Sequence, residues 1–132
     1  FLRDRNITLK IDDFMERNAT IHGDKKMIQQ LLWNVALNGV QAMGEKGTLN
    51  IRTSQEGLLF VIQIIDSGSG VAKEHLPTVF KPFFTTKHKG TGLGLAICKR
   101  IVEQHQGNIS LASEAGKGTT VTIMLPLHDI SS

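Results

Sequence analysis

The stretch Phe80-Lys-Pro-Phe-Phe-Thr-Thr-Lys87-His-Lys-Gly90-Thr-Gly-Leu-Gly-Leu95 orders the reading of the whole chain. An aromatic cluster around Pro82 comes first and a Thr-Thr-Lys-His-Lys run follows. Glycines then stand at 90, 92 and 94, directly before a segment with apolar residues at helical spacing. Glycine lets the backbone approach a ligand closely and adopt positive φ. A helix that begins behind such a loop presents unpaired N–H groups to an anion. The neighbouring Lys87 and Lys89 favour a polyanion, and a nucleotide phosphate tail is the natural candidate. The glycine spacing alone fits a plain flexible loop equally well, so the other walls of a site must come from the rest of the chain.

C-terminal to this stretch, Leu95, Cys98 and Val102, with Ile97 and Ile101 beside them, predict a helix from Leu93 to His105 closed by Gly107. Residues 108–113 and 119–125 alternate around Ala115-Gly-Lys-Gly118 and predict a hairpin. On the N-terminal side, residues 7–14 alternate as a strand. Asp24 is a helix N-cap, with the helix running to about Met43 and stopped by Gly44 and Gly47. Residues 48–54 and 58–65 read as strands joined by a Gln55-Glu56-Gly57 turn. The second is almost wholly apolar, which predicts a central strand. Residues 73–80 predict a short helix and 81–92 a long loop. This order predicts an α/β sandwich: a mixed, mainly antiparallel sheet of about five strands with about three helices on one face.

At 132 residues, 40% hydrophobic and 20% charged, the chain reads as one globular domain spanning 1–132. It carries no apolar run long enough to span a bilayer and no signal-peptide pattern. Its single cysteine, Cys98, excludes an internal disulfide and fits a reducing compartment. Cys98 falls in an apolar helical stripe, where packing is expected rather than chemistry. A net charge of +3 with dispersed lysines and 5% aromatics does not point to nucleic acid. The start at Phe1 reads as a fragment.

Two further constellations stand out. At about 100° per residue, Gln30, Asn34, Asn38 and Gln41 fall in one stripe of the helix, bordered by Met27, Leu31 and Leu37. Lys25, Lys26 and Gln29 lie roughly opposite, on the natural solvent face, so the stripe is expected to face inward or into a cleft. An amide oxygen is a good ligand for Mg²⁺; a second solvated face or an interhelical amide network is the alternative. Trp33 is expected to pack. The second constellation, Asp66-Ser-Gly-Ser-Gly70, follows the central strand at once. Strand ends are where α/β folds place ligands, and a carboxylate there could accept from an exocyclic amino group while the glycines admit a flat base. An Asx-type turn explains the same residues.

Taken in order, Leu31-Leu-Trp-Asn34-Val-Ala-Leu-Asn38-Gly-Val-Gln-Ala-Met43, Asp66-Ser-Gly-Ser-Gly70, Phe80-Lys-Pro-Phe-Phe-Thr-Thr-Lys87 and Gly90-Thr-Gly-Leu-Gly-Leu95 resemble the N box, first glycine box, F box and second glycine box of sensor histidine kinases. Gly116-Lys-Gly118-Thr-Thr-Val-Thr-Ile123 resembles that family's closing hairpin. The resemblance covers about residues 7 to 126. Its Val-Gln-Ala-Met and Phe-Phe-Thr-Thr-Lys strings are most similar to nitrogen-regulation and sporulation-type kinases.

The resemblance implies the Bergerat ATP-binding fold, shared with gyrase-type, heat-shock chaperone and mismatch-repair ATPases. It implies ATP (or ADP) and Mg²⁺ as cofactors. Asn38 would hold Mg²⁺ through its side-chain oxygen, and Asn34 would line the phosphate region. Asp66 would accept from the adenine amino group, with Gly68 and Gly70 shaping the base pocket. Thr85, Thr86 and Lys87 would lie in a mobile lid. Gly90, Thr91, Gly92, Leu93, Gly94 and Leu95 would form the phosphate-binding box, and Thr119 would sit near the adenine end. Two positions depart from the pattern. Gln41 stands where many members carry Lys or Arg near the phosphates, a loss that Lys87, His88 or Lys89 could offset. Gly39 replaces a common alanine and would loosen the helix by up to ~1 kcal/mol.

The family transfers phosphate to a histidine on a separate dimerisation domain. None of His22, His75, His88, His105 and His128 has the expected acceptor context. His88 lies in the expected lid and the others are expected at the surface. No catalytic residue is therefore assigned in this chain, which should not phosphorylate itself. Its partners would be the phosphoacceptor domain and, downstream, a response regulator receiver domain. A cytoplasmic monomer without membrane contact or nucleic acid is expected. Asn34 stands where related hydrolysing ATPases carry Glu, which favours transfer over rapid hydrolysis.

Overall fold

The computed structural model describes residues 6–13, 20–21, 25–43, 46–71, 73–78, 80 and 94–128. Its order is β1 (Asn6–Asp13), β2 (Thr20–Ile21), α1 (Lys25–Met43), β3 (Lys46–Glu56), β4 (Leu59–Asp66), a 3-10 turn (Lys73–Thr78), α2 (Gly94–Gln104), β5 (Asn108–Ser113) and β6 (Thr119–His128). The main sheet path runs β1-β3-β4-β6, with β5 and the two-residue β2 each pairing with β6. β1 and β3 are parallel, and the other pairs are antiparallel. A parallel pair needs a crossover rather than a hairpin, and α1 is part of the connection between β1 and β3. The mixed, mainly antiparallel sheet is as expected. Among the described residues the helical layer is two α-helices and one 3-10 turn rather than three helices. Pro77, which lacks an N–H to donate, lies inside the 3-10 turn.

β4 is central, as its apolar run predicts, because both its faces are covered or half-covered. Phe60, Ile62 and Ile64 point to the helices, while Val61 is buried on the other face and Gln63 and Ile65 are half-buried there. Across β4, β6 and β5 the register builds rows on the helix side: Ile62, Ile123 and Ile109, then Ile64, Val121 and Leu111. Leu31 and Val35 of α1 and Cys98 and Val102 of α2 close over these rows, all at or near zero exposure. Each such side chain contributes about 2 kcal/mol through removal from water.

Burial pushes the Cys98 thiol up to about 12, and its Sγ lies 3.7 Å from the Leu31 carbonyl as a weak donor linking α2 to α1. The thiolate is the nucleophile, so Cys98 should resist maleimide in native buffer and react only as the domain unfolds in denaturant. Labelling complete within minutes under native conditions would contradict the packing.

One sequence expectation is corrected here and one is refined. Trp33 does not pack: it is 61% exposed, about 200° around the helix from Leu31. Gly107 closes α2, but the left-handed residue is Gln106, with φ 61°. Gln106 N–H donates to Glu103 O and Gly107 N–H to Val102 O, the 5→2 and 6→1 bonds of a Schellman ending. Gly107 is required for space instead, since a Cβ there would meet the Met124 carbonyl at 2.3 Å.

Candidate nucleotide site

The two apolar rows end in a polar one. Asp66 of β4 pairs with Thr119 of β6, and Thr119 pairs with Ser113 of β5. Cross-strand partners share a face, so the three side chains continue the helix-facing surface where the apolar core stops. Asp66 and Thr119 are each only 7% exposed. Carboxylates are seldom this buried unless paired. Asp66 Oδ1 accepts the Gly68 N–H at 2.8 Å. The Asx-type turn is therefore real, and it fixes the carboxylate's orientation rather than competing with a role for it. The other oxygen, Oδ2, faces α1: a Cβ on Gly39 would stand 3.5 Å from it and 3.0 Å from Leu49 Cδ1. Gly39 thus allows α1 to pass close to the end of β4.

The loop after Asp66 is clamped from two sides. Toward α1, Ser69 N–H donates to Ala42 O at 3.2 Å, and Gly68 lies so close that a Cβ would meet Ala42 O at 2.7 Å. Ser67 Oγ accepts the Thr48 N–H at 2.9 Å and reaches Met43 Sδ at 3.5 Å. Toward the β5–β6 turn, Gly116 N–H donates to Ser69 O at 2.6 Å and Val71 N–H to Ser113 Oγ at 2.7 Å. Gly70 has φ 74°, and a Cβ on it would fall 2.0 Å from Glu114 O. Both loop glycines are thus demanded by backbone proximity.

On α1 the amide stripe faces the cleft only in part. Asn34 and Asn38 are half-buried, while Gln30 and Gln41 are exposed, as are Lys26 and Gln29 on the solvent side. Gly94 opens α2, as the last glycine of its box should, and Leu95 is half-buried. Thr85, Thr86, Lys87, His88, Gly90, Thr91, Gly92 and Leu93 lie outside the described residues, as does His22. The structure therefore brings together Asp66, Gly68, Gly70 and Thr119, and places Gly39 of the asparagine helix beside Asp66. His105 is not a free surface group: its Nδ1 lies 2.8 Å from Ile101 O at the end of α2.

Sequence reading missed Ser113, which makes three hydrogen bonds in this site. The available signal was the alternation Ile109, Leu111, Ser113, in which a hydroxyl replaces the third apolar residue. A surface groove of about 400 Å³ lies along Ala96, Lys99, Arg100, Glu103 and Gln104 of α2, with Phe80 beside Lys99. It shares no residue with the Asp66 site.

Among the described residues no three His, Cys, Asp or Glu side chains group as a metal cage. A hard ion that keeps several waters and takes ligands from a bound phosphate fits a single amide oxygen such as that of Asn38. No helix of the described residues is long and apolar enough to cross a membrane.

Residues 23–129 match the family described as histidine kinase-, DNA gyrase B- and HSP90-like ATPases. The chain is 45% identical over 108 residues to the sensor histidine kinase ZraS of Escherichia coli K12, covering 82% of this chain and 23% of that protein. It is 43% identical over 111 residues to sporulation kinase C of Bacillus subtilis 168, covering 84% and 26%. The catalytic domain of histidine kinase ThkA, in a nucleotide-free form, superposes with a TM-score of 0.83 at 31% identity, covering 95% of this chain and 82% of that one. The chain thus spans about a quarter of the length of the curated relatives it matches. A matched family model over most of the chain, the four ordered boxes and the superposition on a histidine kinase catalytic domain agree: the chain belongs to the histidine kinase-, DNA gyrase B- and HSP90-like ATPase family, as an ATP-binding domain of the histidine kinase type.

Proposed function

We propose that this domain binds Mg-ATP and presents its γ-phosphoryl group to a histidine on a separate dimerisation domain of the same kinase, for onward transfer to a response regulator receiver domain. The observation that carries the reading is the polar row at the strand ends. Asp66 is oriented by Gly68 N–H and faces α1, with two glycines of the adjoining loop packed closely against the backbone of α1 and of the β5–β6 turn. In this reading Asp66 accepts from the adenine amino group, Thr119 stands beside it, and the tightly packed loop of Gly68 and Gly70 shapes the base pocket. Asn38 holds Mg²⁺, with Asn34 one turn earlier on the phosphate side. The ion would neutralise phosphate charge, and phosphoryl transfer depends mostly on such positioning and charge neutralisation. Gln41 adds no charge, so Lys87, His88 or Lys89 would supply it from the lid that the family resemblance implies. The nucleophile and its base come from the partner, so residues 1–132 act as one catalytic domain that does not phosphorylate itself. The site works in the cytoplasm, where ATP is available, whatever anchors the full protein.

The test supplies the cognate helical domain in trans with γ-labelled ATP. Label on its histidine is expected; its absence, with ATP still bound, would reduce the domain to a nucleotide sensor. Asn38→Ala separates the Mg²⁺ role. In titrations with and without Mg²⁺, the parent should bind an ATP analogue about tenfold more tightly with the ion, and the variant should lose that difference. Equal Mg²⁺ dependence in both proteins would remove Asn38 from the role.

A further inference from the structure

We infer that Ser113 fixes which way the Thr119 hydroxyl donates, and thereby makes the wall beside Asp66 acceptor-only and selective for a purine with an amino group at C6. The inference rests on the nucleotide reading above. A serine hydroxyl has one proton and two lone pairs. Ser113 Oγ has three partners: Val71 N at 2.7 Å, Gly118 O at 2.8 Å and Thr119 Oγ1 at 2.8 Å. The Val71 N–H can only donate and the Gly118 carbonyl can only accept. The serine proton therefore goes to Gly118 O, and the remaining contact requires Thr119 to donate to Ser113. The three bonds fill the capacity of the serine, and the only proton of Thr119 is committed to it.

Thr119 then offers its surroundings lone pairs alone. Its cross-strand neighbour Asp66 is a carboxylate side chain that already accepts from Gly68 N–H, and both residues are 7% exposed on the same face. A buried wall of acceptors matches an exocyclic amino group, which brings two N–H donors. An oxo group at the same carbon would set lone pair against lone pair, and an unmatched buried polar contact is penalised more than a matched one is rewarded. Ser113 need not touch the base. It is a positioning residue acting through Thr119, and its place on β5 supplies the proton sink that Thr119 cannot find on its own strand.

The experiment is calorimetric titration of the domain in Mg²⁺ with non-hydrolysable analogues of ATP and ITP, which exchange the C6 amino group for oxo. The parent should prefer the ATP analogue by ~30-fold. Ser113→Ala frees the Thr119 proton to donate toward an oxo group, so the preference should fall to ~3-fold. Ser113→Thr keeps a hydroxyl in place and should restore the parent ratio. A purely structural serine would weaken both nucleotides together and leave the ratio unchanged, and that result overturns the inference. If Ser113→Ala does not fold, Thr119→Val must narrow the same ratio, and an unaltered ratio there overturns it equally. A parent that binds neither analogue overturns the nucleotide reading itself; a parent that binds the ATP analogue while the ratio resists these changes overturns only the role of Ser113.

Discussion

Asp66→Asn should weaken binding of an ATP analogue by about a hundredfold while leaving the unfolding temperature nearly unchanged. The two effects separate because the turn decides how the new amide lies. In the parent, Asp66 Oδ1 accepts the Gly68 N–H at 2.8 Å. Asparagine has one acceptor oxygen and one donor NH₂ group, and only the oxygen can satisfy that N–H. The amide nitrogen must then take the place of Oδ2, the atom that faces α1 near Gly39. The Asx-type turn survives, so the fold does too. The nucleotide now finds donors where its own amino group needs acceptors. Loss of a charge-assisted hydrogen bond costs about 1.5–3 kcal/mol, and the reversed polarity adds to it, which together support two decades in affinity. The same reversal should improve the standing of an ITP analogue relative to ATP. Isothermal titration of parent and variant with both analogues checks the prediction. Unchanged ATP affinity would remove Asp66 from the base site, and a parallel fall in unfolding temperature would make the effect one of folding instead.

How legible this site was in the sequence depended on whether a signal was local. Residues 58–65 are apolar on both strand faces, which is a property of a short window, and β4 lies in the middle of the sheet as that pattern demands. Asp66 was visible because it ends that window and two glycines follow it. Ser113 was not, because its importance comes from lying two strands away in the row through Thr119, and that register exists only after β4, β6 and β5 have paired. The clamp between Ser69 and both Ala42 and Gly116 is non-local for the same reason. Trp33 shows how a local rule can mislead. Its size argues for the core, but it lies two turns before Val40, which is buried on nearly the same side of α1, and is itself left 61% exposed. Gln106 shows a milder version. The glycine that marks the helix end in sequence does not hold the left-handed position, because Gly107 is needed one step on, where the chain passes Met124. The phosphate box from Gly90 to Leu93, the most informative sequence signal, lies outside the described residues.

Gly118→Ala should be the most damaging single methyl in the β5–β6 turn, lowering stability by about 4 kcal/mol. Two independent costs meet at this residue. Its φ is 86°, a region where an L side chain is strained by about 1–2 kcal/mol. The added Cβ would also lie 2.2 Å from Asp66 O and 3.2 Å from Asp66 C. Those are backbone atoms of a central strand, so no rotamer change can relieve the contact, and either the turn or the end of β4 must move. Gly116, two residues earlier, provides the control. Its φ is 82°, yet a Cβ there meets nothing within 4 Å. Gly116→Ala should therefore carry only the dihedral cost, about 1–2 kcal/mol. Thermal unfolding of the two variants should differ by roughly 10 °C for a domain of this size. Because the Gly118 methyl presses on Asp66 itself, that variant should also lose affinity for the ATP analogue at temperatures where it remains folded, whereas the Gly116 variant should not. Equal destabilisation by both substitutions would show that dihedral strain alone acts in this turn and that the close approach of Gly118 to Asp66 carries no energetic weight. The contrast links the packing to the function: Gly116 is needed for the turn it forms, whereas Gly118 is needed for the backbone of Asp66, at the end of β4, that it lets the hairpin approach.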